Sequence, residues 1–396
     1  MKNAKSPAPR SLSQRLLDNK WSAIILFAAA FIFVLARIWA VSGMQEKSAG
    51  ASEYAEYETA VVEQVLADST AADEAADGGY RGEQLLIVKI TSGQYKGESM
   101  QVYNYVGPLY GIPVEAGDGV TLTVSTYEDG SHKATVFEYN REPALATIVI
   151  LFMLATVLVG GKTGAKSLVG LILTVVCLFY ILIPLLLKGL PTLPTVFAVC
   201  AFVAIVSFVI LGGVTNKTCC AALGTIAGVA IALVFGLIAQ ALARVNGLRI
   251  AEVEPLLQLR QTGTPIGLRG LLCGAIVISA LGAVMDVAMS ISSALSEIYS
   301  VDPNLGSKEL FKSGMNIGRD MVGTMTNTLI LAFLGSSFAL IIYLFSLDLG
   351  IHQLLSSSYV AIEAVSGIAS SIGVILSVPI TALISSVILV KSKKAC

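Results

Sequence analysis

The sequence predicts an α-helical integral membrane protein of about eight transmembrane helices. Both termini lie on the cytoplasmic side, and a small extracytoplasmic β-barrel, OB-like, sits between the first and second helices. Three observations carry this. The chain has 396 residues, 55% of them hydrophobic and only 13% charged, about half the ~25% usual for soluble domains. Several uncharged stretches reach about 20 residues, the length that lets a helix cross the hydrocarbon core. Finally, the formal net charge of −1 is unevenly spread: residues 43–142 hold 17 acidic and 6 basic side chains, and the remainder holds 10 acidic and 20 basic.

Residues 1–20 carry Lys2, Lys5, Arg10, Arg15 and Lys20, followed by an apolar run from Trp21 to about Val41. The order is that of a signal peptide. The run is too long for an ordinary signal core, however, and no clear cleavage site follows, so 21–42 is expected to be an uncleaved anchor. Arg37 and Trp39 would mark its outer interface.

Residues 43–142 read as a β domain. Tyr57–Leu66, Gln84–Ser92, Ser99–Val106, Gly119–Thr126 and Ser131–Tyr139 are rich in Val, Tyr, Thr and Ile and are separated by glycine, proline and Asp-Gly turns. Ala67–Gly82, rich in Asp, Ala and Gly, is expected to be a flexible loop. Five short strands of this kind suit a small closed barrel, and the OB type is the first choice. The domain holds no cysteine, as suits an exported unit that needs no oxidative folding. Its acidity argues against nucleic acid.

Residues 143–390 form the seven-helix membrane domain. Spans are expected at 144–160, 167–187, 192–213, 219–243, 268–292, 322–346 and 368–390, with 391–396 as a cytoplasmic tail. Basic residues concentrate in the segments this topology places inside, including Lys391, Lys393 and Lys394. The loop 244–267 fits less well, with several arginines on the outer side. Its run Ile250–Leu259 has the pattern of a short amphipathic helix at the interface. On the fifth span Gly224, Gly228, Ala232 and Gly236 recur every four residues, a close-packing seam.

Ionisable and polar residues inside spans are the candidate site, because they are costly in lipid. Asp286 lies within the span that begins near Leu268. Ser279, Gly282, Asp286, Ser290, Ser293 and Glu297 share one helix face. Asn316, Arg319, Asp320, Thr324 and Asn327 form a second polar run that enters from the cytoplasmic side, with Arg319 as the natural counter-ion and Asn327 near the depth of Asp286. Glu363 belongs to the segment 350–390, too long for one simple span, in which Ser366-Gly367 and Ser370-Ser371 suggest a break and Pro379 a kink. These residues would bind a proton, a cation or a polar substrate group.

Other chemistries lack their residues. Gly161-Lys162-Thr163 resembles the end of a phosphate loop, but Thr156 stands where the earlier glycine is required. The Gly-x-Gly-Asp context of intramembrane aspartyl proteases is missing. His132 and His352 are far apart, and the six cysteines have no metal-site spacing. No enzyme, metal or cofactor is expected.

Two blocks carry a family resemblance. GAVMDVAMSISSALSEI at 282–298 and SGMNIGRDMVGTMTNTLILAFLGSS at 313–337 resemble the signature blocks of the YibE/F-like bacterial membrane proteins, and the order of anchor, small domain and seven spans resembles that family over roughly 20–390. The resemblance implies a multi-pass protein of the bacterial cell membrane. It implies no substrate and no catalytic residue.

The expected function is that of an ion-gradient-driven secondary transporter or exporter with its polar site around Asp286. The alternative is a non-transporting scaffold whose outer domain binds envelope partners. Membrane lipid, a proton or cation, an unknown small substrate, and a second copy or an envelope protein are the expected partners.

Overall fold

The computed structural model describes residues 55–126, 132–249 and 253–394, together with Val34. Apart from Val34, the expected anchor at 21–42 therefore lies outside the described residues. The chain forms two compact units, one ending at Val159 and the other resuming at Gly160.

The first unit is a β-barrel. Its strands are β1 (Ala55–Asp68), β2 (Ala71–Asp73), β3 (Gly79–Ile90), β4 (Ser99–Val106), β5 (Gly119–Thr126) and β6 (His132–Tyr139). The long strands pair in the order β1-β5-β6-β4-β3, and β3 returns to β1, so five strands close on themselves. All pairings are antiparallel except β4 with β6, where Tyr103 faces Thr135 in parallel. Closure leaves no long edge open to pairing with other chains. Alternation does the rest: Leu86, Val88 and Ile90 point inward with Val102, Val120, Leu122 and Val124, all nearly inaccessible. Bulges in β1, at Val62/Gln64 and Val65/Ala67, interrupt its register with β3.

Ala67–Gly82 is not a loose loop. β1 runs to Asp68, β2 pairs with the start of β3, and a helical turn at Glu74–Ala76 is capped by the Asp73 carboxylate. Arg81 forms an ion pair with Asp73 at 3.0 Å, and Thr70 bonds Asp68 through both its amide and its hydroxyl. The Asp content that reads as loop is here the capping content of a tight hairpin.

Inside the barrel a polar network centres on Gln84, whose amide makes four hydrogen bonds. The Gln84 amide oxygen accepts from Asn104 Nδ2 and from the Val114 amide, and its nitrogen donates to Asp68 and to the Val114 carbonyl. Asn104 also donates to the Ile112 carbonyl. The network ties the β4–β5 connection to the barrel wall. Gly93, at φ +68°, lies directly against the Glu58 carboxylate, where no side chain would fit. Ser92 donates to that same carboxylate.

The second unit is helical. Its elements are α1 (Glu142–Cys177, begun in the first unit), α2 (Ile183–Leu187), α3 (Thr192–Gly212), α4 (Asn216–Ala243), α5 (Val253–Gln261), α6 (Leu271–Val301), α7 (Ser307–Ser336), α8 (Phe338–Ser346), α9 (Ile351–Ser356) and α10 (Ser358–Lys394). Among the described residues five helical segments are long and apolar enough to cross a membrane, or six with the bent pair α7–α8. The protein thus has the build of a multi-pass membrane protein.

Boundaries differ from expectation in three places. The expected division between the spans 144–160 and 167–187 falls at Gly161, whose φ of 55° kinks the helical segment Glu142–Leu187, but 162–166 are helical rather than a loop. The region 293–321 is largely helical, since α6 continues to Val301 and α7 starts at Ser307. The break sought near Ser366–Gly373 is absent, and α10 runs unbroken through it. The breaks fall earlier, at Ser357 and at Ser337, where α7 and α8 bend by 61°. The short helix expected at Ile250–Leu259 appears as α5, with Val253 packed against Ile266 and Leu268.

α10 is the central helix of this unit and packs against α4, α6 and α7. Small residues make the close approach. A Cβ at Gly228 would come within 2.7 Å of both Ser377 Cβ and Val284 Cγ1, and one at Gly224 would overlap the Thr381 hydroxyl. The glycine seam of α4 is therefore the surface on which α10 and α6 sit.

Candidate functional site

α6 and α7 run antiparallel. A Cβ at Gly314 would meet Leu295 at 2.9 Å, and one at Gly318 would meet Ile291 at 3.4 Å. Continuing that register places Ser290 level with Arg319, and Asp286 level with Gly323 and Thr324. Asp320 then lies about 4–5 Å from the level of Asp286 along the axis, and Asn327 about 5–6 Å on the other side, at 1.5 Å per residue. The Asn316–Asn327 run and the Asp286 stripe therefore overlap in height.

Both runs lie on open faces. On α6, Gly282, Asp286, Ser290 and Glu297 are exposed, while Val284, Val287, Ala288 and Ile291 are buried. On α7, Asn316, Arg319, Asp320, Gly323, Thr324 and Asn327 are exposed, while Leu310, Gly314 and Gly318 are buried. The small glycines thus turn one side of α7 towards Val378 and Ala382 of α10 and leave the polar side free. Arg319 is not a counter-ion here: among the described residues it forms no ion pair with Asp286 or Asp320, and the ion pairs present lie in the barrel unit. With Arg319 at the level of Ser290, about a turn away from Asp286, the two charges are unpaired among the described residues.

Glu363 stands apart, in the second turn of α10. It is half-buried on the wall of a cavity between α7, α8 and α10. Ser279, half-buried, does not join the open face; its hydroxyl is 2.9 Å from that of Ser370 on α10, which also donates to the Ile276 carbonyl.

Sequence reasoning missed a buried row of hydroxyls. Thr225 of α4 and Ser370, Ser377, Thr381 and Ser385 of α10 are wholly inaccessible. Among the described residues the Thr225 and Thr381 hydroxyls have no hydrogen-bond partner. Ser292 of α6 donates to the Lys217 carbonyl at 2.6 Å. The signal lay in the four-residue spacing of Ser377, Thr381 and Ser385, which puts them on the face that meets the glycine seam.

A family profile for YibE/F-like proteins matches residues 148–391. The chain belongs to the YibE/F-like family. The match contains the Asp286 stripe, the Asn316–Asn327 run and Glu363, so all the candidate residues lie within the family region. It leaves the barrel outside, a narrower extent than the resemblance implied. No curated protein and no solved structure matches the chain.

Proposed function

We propose that this YibE/F-like protein is an ion-gradient-driven secondary transporter or exporter of the bacterial cytoplasmic membrane. In this reading eight spans leave both ends inside, and the barrel, OB-like by its strand order, stands outside. One observation carries it: Asp286 occupies an open face of an otherwise apolar helix, level with the open polar face of α7, and has no ion pair among the described residues. A carboxylate facing lipid in this state is costly, so the space beside it holds water or polar ligand. Asp286 would take and release a proton or cation. Asp320, Asn316, Thr324, Asn327 and Ser290 would supply oxygen and amide ligands, and Arg319 would set the field at the cytoplasmic mouth.

The test is flux. Protein reconstituted in liposomes should move protons or a monovalent cation down an imposed gradient, and Asp286→Asn, checked for an unchanged melting temperature, should abolish it. Undiminished flux in Asp286→Asn contradicts the assignment.

The scaffold reading draws on the barrel's outer face. Tyr57 packs edge-on against Phe137 at 5.1 Å, Tyr103 stacks on Tyr105 at 6.1 Å, and all four rings are exposed. Exposed aromatic pairs suit a protein partner. Under this reading Asp286→Asn leaves function intact and replacing these rings by serine removes it.

A further inference from the structure

The 61° bend between α7 and α8 opens a cavity of about 390 Å³ against the first half of α10. Phe333, Leu334, Leu340, Ile341, Val360 and Ile368 form most of its wall. The room comes in part from Gly367, whose missing side chain leaves the Phe333 ring as the nearest neighbour, 3.6 Å from where a Cβ would stand. The volume falls within the range of about 300–1,000 Å³ typical of small-molecule sites.

Among the described residues only two polar side chains reach this wall, Ser337 and Glu363. Ser337 is buried, and its amide is bonded to the Phe333 carbonyl. Glu363 is half-buried and has no hydrogen bond or ion pair among the described residues. No lysine, arginine or histidine contributes to the lining. A carboxyl group set among apolar groups is either protonated or stabilised by a cation beside it, and an ionised Glu363 would favour the cation. An inorganic cation is poorly served, since one carboxylate and one hydroxyl fall short of its usual oxygen shell of about six. An organic cation needs no such shell: its charge meets the carboxylate and its body fills the apolar remainder.

We propose that this cavity binds an amphipathic organic cation, with its onium or ammonium charge against Glu363 and its apolar body enclosed by α7, α8 and α10. Naming that ligand as the transported substrate rests on the transporter reading; binding itself does not. Phe333 and Ile341 set the shape of the apolar part, and Glu363 excludes anions.

The test uses the full-length protein in nanodiscs of zwitterionic lipid, with tetraphenylphosphonium as the probe. Tetraphenylborate is the control, having the same shape and the opposite charge. Saturable binding of the cation is expected. Glu363→Gln should weaken it at least tenfold, Glu363→Asp should keep most of it, and Ala364→Trp, which fills the cavity, should weaken it at least tenfold. The borate should not compete. Equal binding of both ions, or unchanged affinity in Glu363→Gln with an unaltered melting temperature, means the cavity holds a lipid chain, and the proposal falls. Asp286→Asn should bind the phosphonium as wild type does. If both bind it and neither accumulates it along a gradient, the cavity stands and its ligand is not the transported substrate.

Discussion

At the scale of single residues, position rather than type decides what each polar group does. Gln84 and Asn104 are buried, yet the Gln84 amide makes four hydrogen bonds and Asn104 Nδ2 donates two. Gln84→Leu would leave the Val114 amide and Asn104 unmatched, and should cost about 1–3 kcal/mol, read as an earlier loss of the barrel's β-sheet signal in thermal melts. Two barrel carboxylates are held below the ordinary range: Asp68 by hydrogen bonds from the Thr70 hydroxyl and amide and from Gln84, and Glu138 chiefly by the Arg141 guanidinium, helped by the Gly111 amide. A lowered folded-state value means the stabilisation is present above the unfolded value, near 3.8 for Asp68 and 4.5 for Glu138, and is lost as pH falls through the folded one. The barrel should therefore keep its full stability down to about pH 5 and weaken below about pH 4; Asp68→Asn should flatten that acid limb. Asp286 shows what the sequence alone conveyed well, since a charge among Val, Ala and Met on a helix of period 3.6 marks itself. Its lack of a partner was hidden, because Arg319 next to Asp320 reads as a counter-ion until the helix register sets it a turn away.

Elements were legible in proportion to the clarity of their period. The five long strands alternate Val, Leu and Ile inward against Thr, Tyr and Glu outward, and their bounds fall within a few residues of expectation. Helix breaks were not legible. Ser366, Ser370, Ser371 and Gly373 have the composition of a break, but they are small because α10 presses against α4 and α6 there. Small and hydroxylic residues serve both close packing and chain breaks, and only neighbours tell which. The seam yields a sharp expectation. Gly228→Leu places a side chain into Ser377 and Val284, so it should destabilise by about 1–3 kcal/mol or more as overpacking, lowering the melting temperature in detergent. Gly282→Leu, on the open face with nothing within 4 Å of its added Cβ, should leave the melting temperature unchanged.

At the scale of the molecule, charge and hydropathy divide the chain as the contacts do, with an acidic barrel and a helical membrane unit that contains nearly all of the family match. The kink at Gly161 lies two residues beyond the division. If the helical unit alone carries transport, deleting 43–142 should leave Asp286-dependent flux measurable in proteoliposomes; a scaffold loses its function with the same deletion. The central claim is that the Asp286 face borders an aqueous path. It is tested most directly by single cysteines at Gly282, Ser290 and Asn327 in a cysteine-free background, labelled with membrane-impermeant thiol reagents from each side. The account predicts that all three label, and that the accessible side changes when a pH gradient is imposed. If all three stay unlabelled while Lys308→Cys and Lys391→Cys react, the face is covered by protein or lipid and no path runs past Asp286.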